Sequence, residues 1–459
     1  MSDEGLRFPQ GFAWGVSTAS YQIEGAVDED GRGTSIWDTF SHTPGNVVRG
    51  DTGDVACDHY HRYREDVALM RDLGVDTYRF SIAWPRIQPT GKGPVEQAGL
   101  DFYRRLVDEL TDAGIRPSVT LYHWDLPQPL EDAGGWMVRD TAERFAEYAA
   151  AVHDALGDGV PQWITLNEPY CSAFIGYADG RHAPGRREGH GALAAAHHLL
   201  VGHGLAMQAL RANRRGDETF GITLNMNHVL PATDAPEDVA AARRAELLGT
   251  RVFSDPVLAG RYPADEREVW GELTDFSFRR YGDLDLVSAP LDFVGLNNYY
   301  PTYAKDAPTV DPDPRRRVAT DIGVVENPPA ELPRTAMGWP VEADGLRRLL
   351  NWFATTYPRL PPVYITENGA AYPDVAVDGR VDDPRRVAYL DAYIGAVRAA
   401  VDDGVDVRGY YCWSFMDNFE WALGYSARFG LVYVDFETQQ RIPKTSYHWY
   451  RDRIAAARG

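Results

Sequence analysis

The 459-residue chain carries a formal net charge of -21, with 44% hydrophobic, 25% charged and 12% aromatic residues. A surface this acidic repels phosphate, which argues against nucleic acid or an anionic membrane as partner, and the composition is that of a globular enzyme. No apolar stretch reaches the length of a membrane span, and the start lacks a basic and then apolar leader, so a cytoplasmic protein is expected. Cys57, Cys171 and Cys412 show no C-x-x-C spacing, so neither a disulfide framework nor a zinc site is indicated, and a reducing compartment follows. Arginine supplies nearly all the positive charge, the only lysines being Lys92, Lys305 and Lys444.

Short apolar or aromatic runs predict eight strands. The first covers residues 12–17 and the second 77–83; a helical stripe of Tyr103, Leu106, Val107 and Leu110, closed by Gly114, leads to the third at 117–122. A second stripe, Phe145, Tyr148, Ala149, Val152 and Leu156, lies between Asp140 and Gly157 and leads to the fourth at 163–166. The fifth and sixth fall at 221–226 and 292–296. Residues 305–334, rich in Pro, Asp and Arg, read as a long loop that either lines the substrate entrance or is a disordered excursion without a role. The seventh strand covers 363–366. A third stripe, Val387, Leu390, Ile394, Val397 and Val401, opens with Asp383 as N-cap and Pro384 in the first turn, and closes at Gly404 before the eighth strand at 407–414. Strands alternating with helices imply parallel pairing through right-handed crossovers. Eight such units predict an α/β fold, a single (β/α)8 TIM barrel spanning residues 1–459, with its chemistry at the C-terminal ends of the strands.

Those ends are polar and aromatic. The first strand leads to Gln22, the third ends at His123-Trp124, the fourth at Asn167-Glu168, the fifth at Asn225 and Asn227, the sixth at Asn297 and Tyr299, the seventh at Glu367 and the eighth at Trp413. Amide, imidazole and carboxyl groups in a ring suit the recognition of hydroxyls. Glu168, in Trp163-Ile164-Thr165-Leu166-Asn167-Glu168-Pro169, and Glu367, in Val363-Tyr364-Ile365-Thr366-Glu367-Asn368-Gly369, each close an apolar run where Pro or Gly stops the ladder. The chemistry that most needs two carboxyls so placed is glycoside hydrolysis, in which one protonates the departing oxygen and the other attacks the anomeric carbon or activates a water. Carboxylates merely balanced by arginine would be costly there without a purpose.

Across nearly the whole chain these segments resemble family 1 of the glycoside hydrolases, the β-glucosidase family. The resemblance rests on Phe8-Pro9-Gln10-Gly11-Phe12-Ala13-Trp14-Gly15, Ser20-Tyr21-Gln22-Ile23-Glu24-Gly25, Tyr78-Arg79-Phe80-Ser81-Ile82-Ala83-Trp84-Pro85-Arg86, the two glutamate motifs, and Asp417-Asn418-Phe419-Glu420-Trp421. It implies Glu168 as general acid and base, Glu367 as nucleophile, Arg79 beside that nucleophile and Tyr299 hydrogen-bonded to it. It also implies sugar contacts at Gln22, His123, Trp124, Asn167, Asn297, Glu420, Trp421 and Phe429, with Trp413 as ring platform and Trp339 at the aglycone site. Many members have Asn-Tyr-Tyr where this chain has Asn297-Asn298-Tyr299, so the aglycone contacts near Asn298 are expected to differ.

The implied activity is exo-acting hydrolysis of β-glucosides and short β-linked oligosaccharides with retention, with β-galactosides or β-fucosides as side substrates and no cofactor. Rivals on the same barrel are a transglycosylase and a 6-phospho-β-glycosidase; a Glu420 carboxylate near the outer hydroxyls would repel the phosphate. A carbohydrate-binding protein without turnover is a rival of another class. His59, His61, His197, His198 and His203 lack the H-E-x-x-H arrangement, so no metal is expected. The run Asp28-Glu29-Asp30 reads as a solvated loop.

Overall fold

A computed structural model describes residues 7–458. In chain order its strands are β1 (Ala13–Ser17), β2 (Thr77–Ser81), β3 (Arg116–Tyr122), β4 (Gln162–Asn167), β5 (Thr219–Asn225), β6 (Val229–Pro231), β7 (Phe293–Asn297), β8 (Thr302–Asp306), β9 (Val324–Glu326), β10 (Val363–Asn368), β11 (Val407–Trp413), β12 (Val432–Val434) and β13 (Arg441–Pro443). Eight of them close a barrel in the order β1-β11-β10-β7-β5-β4-β3-β2. Every pair in it is parallel, as strand-helix alternation requires, and β1 meets β11 from Ala13 opposite Gly409 to Ser17 opposite Trp413.

The helical stripes form the outer layer. Helix Gln97–Asp112 buries Leu100, Tyr103, Leu106, Val107 and Leu110, and helix Arg139–Leu156 buries Phe145, Tyr148, Ala149, Val152 and Leu156. Each helix presents an apolar face to the strands and a charged face to water, which is what an i, i+3, i+4 repeat produces. Among the described residues no helix is long and apolar enough to cross a membrane.

Two expectations need correction. Residues 305–334 are not one long loop: β8 runs into the segment, β9 returns antiparallel to it, and β6 completes a three-stranded sheet outside the barrel. Strands of three to five residues are too short to show an alternating pattern, and here their pairing partners are distant in sequence. Asp383 stands at the N-cap position of helix Pro384–Asp402 but does not cap it. Its carboxyl instead accepts from the Arg386 guanidinium and from the Ser446 hydroxyl, because a buried guanidinium competes better for it than a helix end does.

Candidate active site

β2 carries Arg79, β4 leads into Asn167 and Glu168, β7 ends at Asn297 and is followed by Tyr299, and β10 carries Glu367. Both glutamates stand where the ladder breaks register. β4 slips against β5 between Ile164 and Asn167, and β10 slips against β7 between Ile365 and Glu367. Such irregularities turn a side chain away from the regular pleat. Glu168 also has a φ of 48°, Trp124 77° and Trp421 49°, in the left-handed region that costs a non-glycine residue roughly 1–2 kcal/mol. Three residues of the expected site therefore hold strained backbones.

The two carboxyls have unequal surroundings. Arg79 Nη1 donates to Glu367 Oε1 at 2.6 Å, and the Tyr299 hydroxyl donates to Glu367 Oε2 at 2.7 Å. Arg79 Nη2 also donates to Asn167 Oδ1 at 2.5 Å, which fixes the residue next to Glu168. Glu168 is bound by neutral groups only: its Oε1 accepts from Asn297 Nδ2 at 2.7 Å, and its Oε2 from the Cys171 thiol at 3.1 Å. Asn297 is oriented in turn by Thr366 Oγ1, which donates to its Oδ1 at 2.7 Å.

Burial, and next the charge of Glu367, pushes Glu168 up to about 7. Burial raises Glu367 as well, but there the Arg79 guanidinium and the Tyr299 hydrogen bond oppose it. The pair therefore holds one proton near neutrality, and that proton sits on Glu168. The sign for activity follows: with Glu168 as acid, kcat/KM declines as pH rises through about 7 and the free enzyme loses this proton, and declines again in acid as Glu367 gains one. A pH-rate profile on an aryl glycoside checks this, and a profile flat from about pH 6 to about pH 9 would contradict it.

Around the carboxyls lie the other expected groups. His123 faces Trp413 nearly parallel at 5.9 Å between ring centres, and Trp421 at 6.0 Å. Asn167 Nδ2 lies 3.0 Å from His123 Nε2, and Trp124 Nε1 donates to the Asn167 carbonyl at 2.9 Å. Burial, with the Arg79 charge, lowers His123 well below the usual imidazole range, so the ring is neutral and that contact is a donation from the amide. Gln22 sits on the short helix Ser20–Ile23 and donates to Asn418 Oδ1 and to the Phe419 carbonyl, immediately before Glu420. Gln22 Oε1, His123 Nδ1 and Glu420 Oε2 are buried without a protein partner, which is hydrogen-bonding capacity that sugar hydroxyls can meet. Burial, and next the charge of Glu367, pushes Glu420 up to about 8, toward its protonated form. On the Tyr299 side, Trp339 lies 5.2 Å from Tyr299, 5.1 Å from Tyr300 and 6.0 Å from Phe429, an aromatic platform beside the nucleophile.

Sequence reading alone missed three members of this wall. Cys171 is weighed above only for a disulfide or a zinc site, not as a donor to Glu168; its place one turn after Glu168 is the available signal. Trp37 and His182 close the far side of Trp421, with Trp37 4.5 Å and His182 6.4 Å from it; Trp37 lies on the short helix Ile36–His42 and His182 in a loop, neither in a motif singled out above. At the departure, the Asn298 amide is buried and donates to the Met226 carbonyl at 2.8 Å, so it pins the ends of β5 and β7, while its Oδ1 has no protein partner. Asn227 likewise faces the Thr302 hydroxyl at 3.1 Å, at the root of β8. The histidines considered for a metal have other partners, His59 with Asp66, His61 with Asp58 and Glu29, His197 with Asp283, His198 with the Trp136 carbonyl and His203 with Thr165.

A sequence profile described as Glycosyl hydrolase family 1 matches residues 5–458. "Beta-glucosidase A" of Acetivibrio thermocellus is 45% identical over 451 residues, 98% of each chain, and a "Bifunctional beta-D-glucosidase/beta-D-fucosidase" of Bifidobacterium breve is 48% identical, again over 98% of each. Among solved structures, the psychrophilic beta-glucosidase of Micrococcus antarcticus superposes with a TM-score of 0.94 at 48% identity, covering 100% of both chains. The Thermotoga maritima family 1 glycoside hydrolase complexed with a cyclophellitol analogue transition state mimic gives 0.93 at 46%, covering 98% of this chain and 99% of that one. With both carboxyl-bearing strand ends inside the matched region, the chain belongs to glycosyl hydrolase family 1.

Proposed function

We propose that the protein is a retaining, exo-acting β-glucosidase that removes terminal β-D-glucosyl residues by double displacement, with β-galactosides and β-fucosides as side substrates. The observation that carries this reading is the unequal setting of the two carboxyls: Glu367 is held as a carboxylate by Arg79 and Tyr299, while Glu168 has no cation and keeps its proton up to about 7. Glu367 attacks the anomeric carbon as Glu168 gives its proton to the departing oxygen. Once the glycosyl ester forms, the charge on Glu367 is gone, the second cause of Glu168's raised value disappears, and Glu168 can act as base toward water. Asn167, aligned by Arg79, takes the 2-hydroxyl, and Gln22, His123, Glu420 and Trp421 take the outer ones over the Trp413 platform. Walls of Trp37, His182 and Trp421 behind that set favour a terminal sugar, hence exo action.

The names of the relatives support glucoside as substrate, and one of them adds fucoside. A phosphosugar is disfavoured. Glu420, the acidic group among the outer contacts, offers a phosphate no cation, and Arg79 is already committed to Glu367 and Asn167. We further read the chain as one catalytic domain acting in the cytoplasm on short oligosaccharides such as those left from cellulose. The test is turnover of aryl β-glucoside, galactoside, fucoside, mannoside and 6-phosphoglucoside at neutral pH with a chelator present. Glucoside is expected to lead, with fucoside and galactoside behind it; no turnover on any of them would sink the reading.

A further inference from the structure

The segment that holds Glu420 and Trp421 does not reach the nucleophile's loop directly. It is joined to it through a fully buried lysine, Lys444, beside which Arg386 links Asp374 and the Ala370 carbonyl to the Arg428 carbonyl. Lys444 Nζ donates to Asp417 Oδ1 at 2.7 Å and to Asp374 Oδ2 at 2.5 Å. Asp417 lies three residues before Glu420 and is also gripped by Arg428 through its Oδ2 at 2.6 Å and by the Gly430 amide at 2.9 Å. Its neighbour Asn418 accepts from Gln22. Asp374 ends the stretch that begins at Glu367, and Arg386 holds that stretch at two further points, Asp374 Oδ2 at 2.7 Å and the Ala370 carbonyl at 3.1 Å. The nucleophile's loop also packs tightly on the end of β11, which leads into that segment: a Cβ on Gly369 would lie 1.7 Å from the Trp413 carbonyl oxygen.

We propose that Lys444 is a positioning residue for sugar recognition, its shared ammonium setting the Glu420-Trp421 segment at a fixed distance from Glu367. A lysine suits this place because three donors on one nitrogen can serve two carboxylates that approach from different loops. Removing it leaves Arg428 on Asp417 and Arg386 on Asp374 but takes away the cation that both carboxylates contact, so the loop that reads the outer hydroxyls and the loop of the attacking carboxyl lose their common anchor. The cost falls on contacts to those hydroxyls, so discrimination at the 4- and 6-positions suffers along with affinity. This inference rests on the glucosidase reading of the same site.

The test compares Lys444→Met and Asp374→Ala with the wild type on aryl β-glucoside and β-galactoside, each variant first checked for folding by circular dichroism. Both variants are expected to raise KM for the glucoside about tenfold, more than they lower kcat, and to contract the glucoside-to-galactoside ratio of kcat/KM several-fold. Asp374→Asn keeps an oxygen for the ammonium and is expected to restore most of that ratio. A buried ion network that only stabilises the fold would lower the melting temperature and leave KM and the ratio unchanged, and that result overturns the proposal. If Lys444→Met does not accumulate folded protein, the Asp374 position decides alone. A wild type inactive on glucoside would instead reject the glucosidase reading, which keeps the two failures apart.

Discussion

Glu367→Ala is expected to lower kcat on an aryl β-glucoside by roughly 10⁴-fold or more, because the carboxylate that forms the covalent intermediate is gone and no neighbour can replace it. Arg79 and Tyr299 remain, aimed at an empty space. That leaves a buried guanidinium without its counter-ion, so a small anion is drawn into the vacated position. Sodium azide is therefore expected to restore a substantial part of the rate, and the product to be the α-glucosyl azide, since only one inversion occurs. Product analysis by NMR checks the anomer. An unchanged rate in the variant, or a β-azide, would assign the nucleophile elsewhere.

Glu168→Ala should behave differently, and the difference separates the roles. Substrates whose leaving group needs a proton, such as alkyl glucosides and cellobiose, are expected to lose about 10³-fold or more, while a dinitrophenyl glucoside, which departs unaided, loses far less in the first step. Its glycosyl-enzyme then accumulates, because water lacks a base. Azide needs no base, so it should accelerate release and give the β-glucosyl azide through two inversions. The alkaline limb of the pH profile disappears in this variant, since it belongs to the proton held on Glu168 at about 7. Equal losses across all leaving groups would contradict an acid at this position.

What the sequence disclosed follows from how far each signal reaches. The barrel was legible because eight buried strands and three helical stripes write their periodicity locally, and observed boundaries such as Arg116–Tyr122 and Val407–Trp413 fall within a residue of the expected ones. The site's membership was legible through motifs at strand ends, which Glu168, Glu367 and Asn297 carry with them. The small sheet outside the barrel was not, since β8 and β9 are defined by pairing across some twenty intervening residues and not by pattern. Nor could spacing tell Asp383's task, because Ser446 and Arg386 come to it only in the folded chain. Cys171 and Glu420 were both visible as letters; the thiol's contact with the acid, and the upward push on the outer carboxyl, follow only once burial and neighbouring charge are known.

The left-handed backbones at Glu168, Trp124 and Trp421 have an implication for how this protein would respond to selection. Each position would be more comfortable with glycine, or with asparagine, than with the residue it has, by roughly 1 kcal/mol. A library enriched only for survival of heat would therefore favour exchanges at the very places where sugar is read and protons are moved. Its winners would be sturdier and inert. Hardening this scaffold calls for a screen in which every round also demands released glucose.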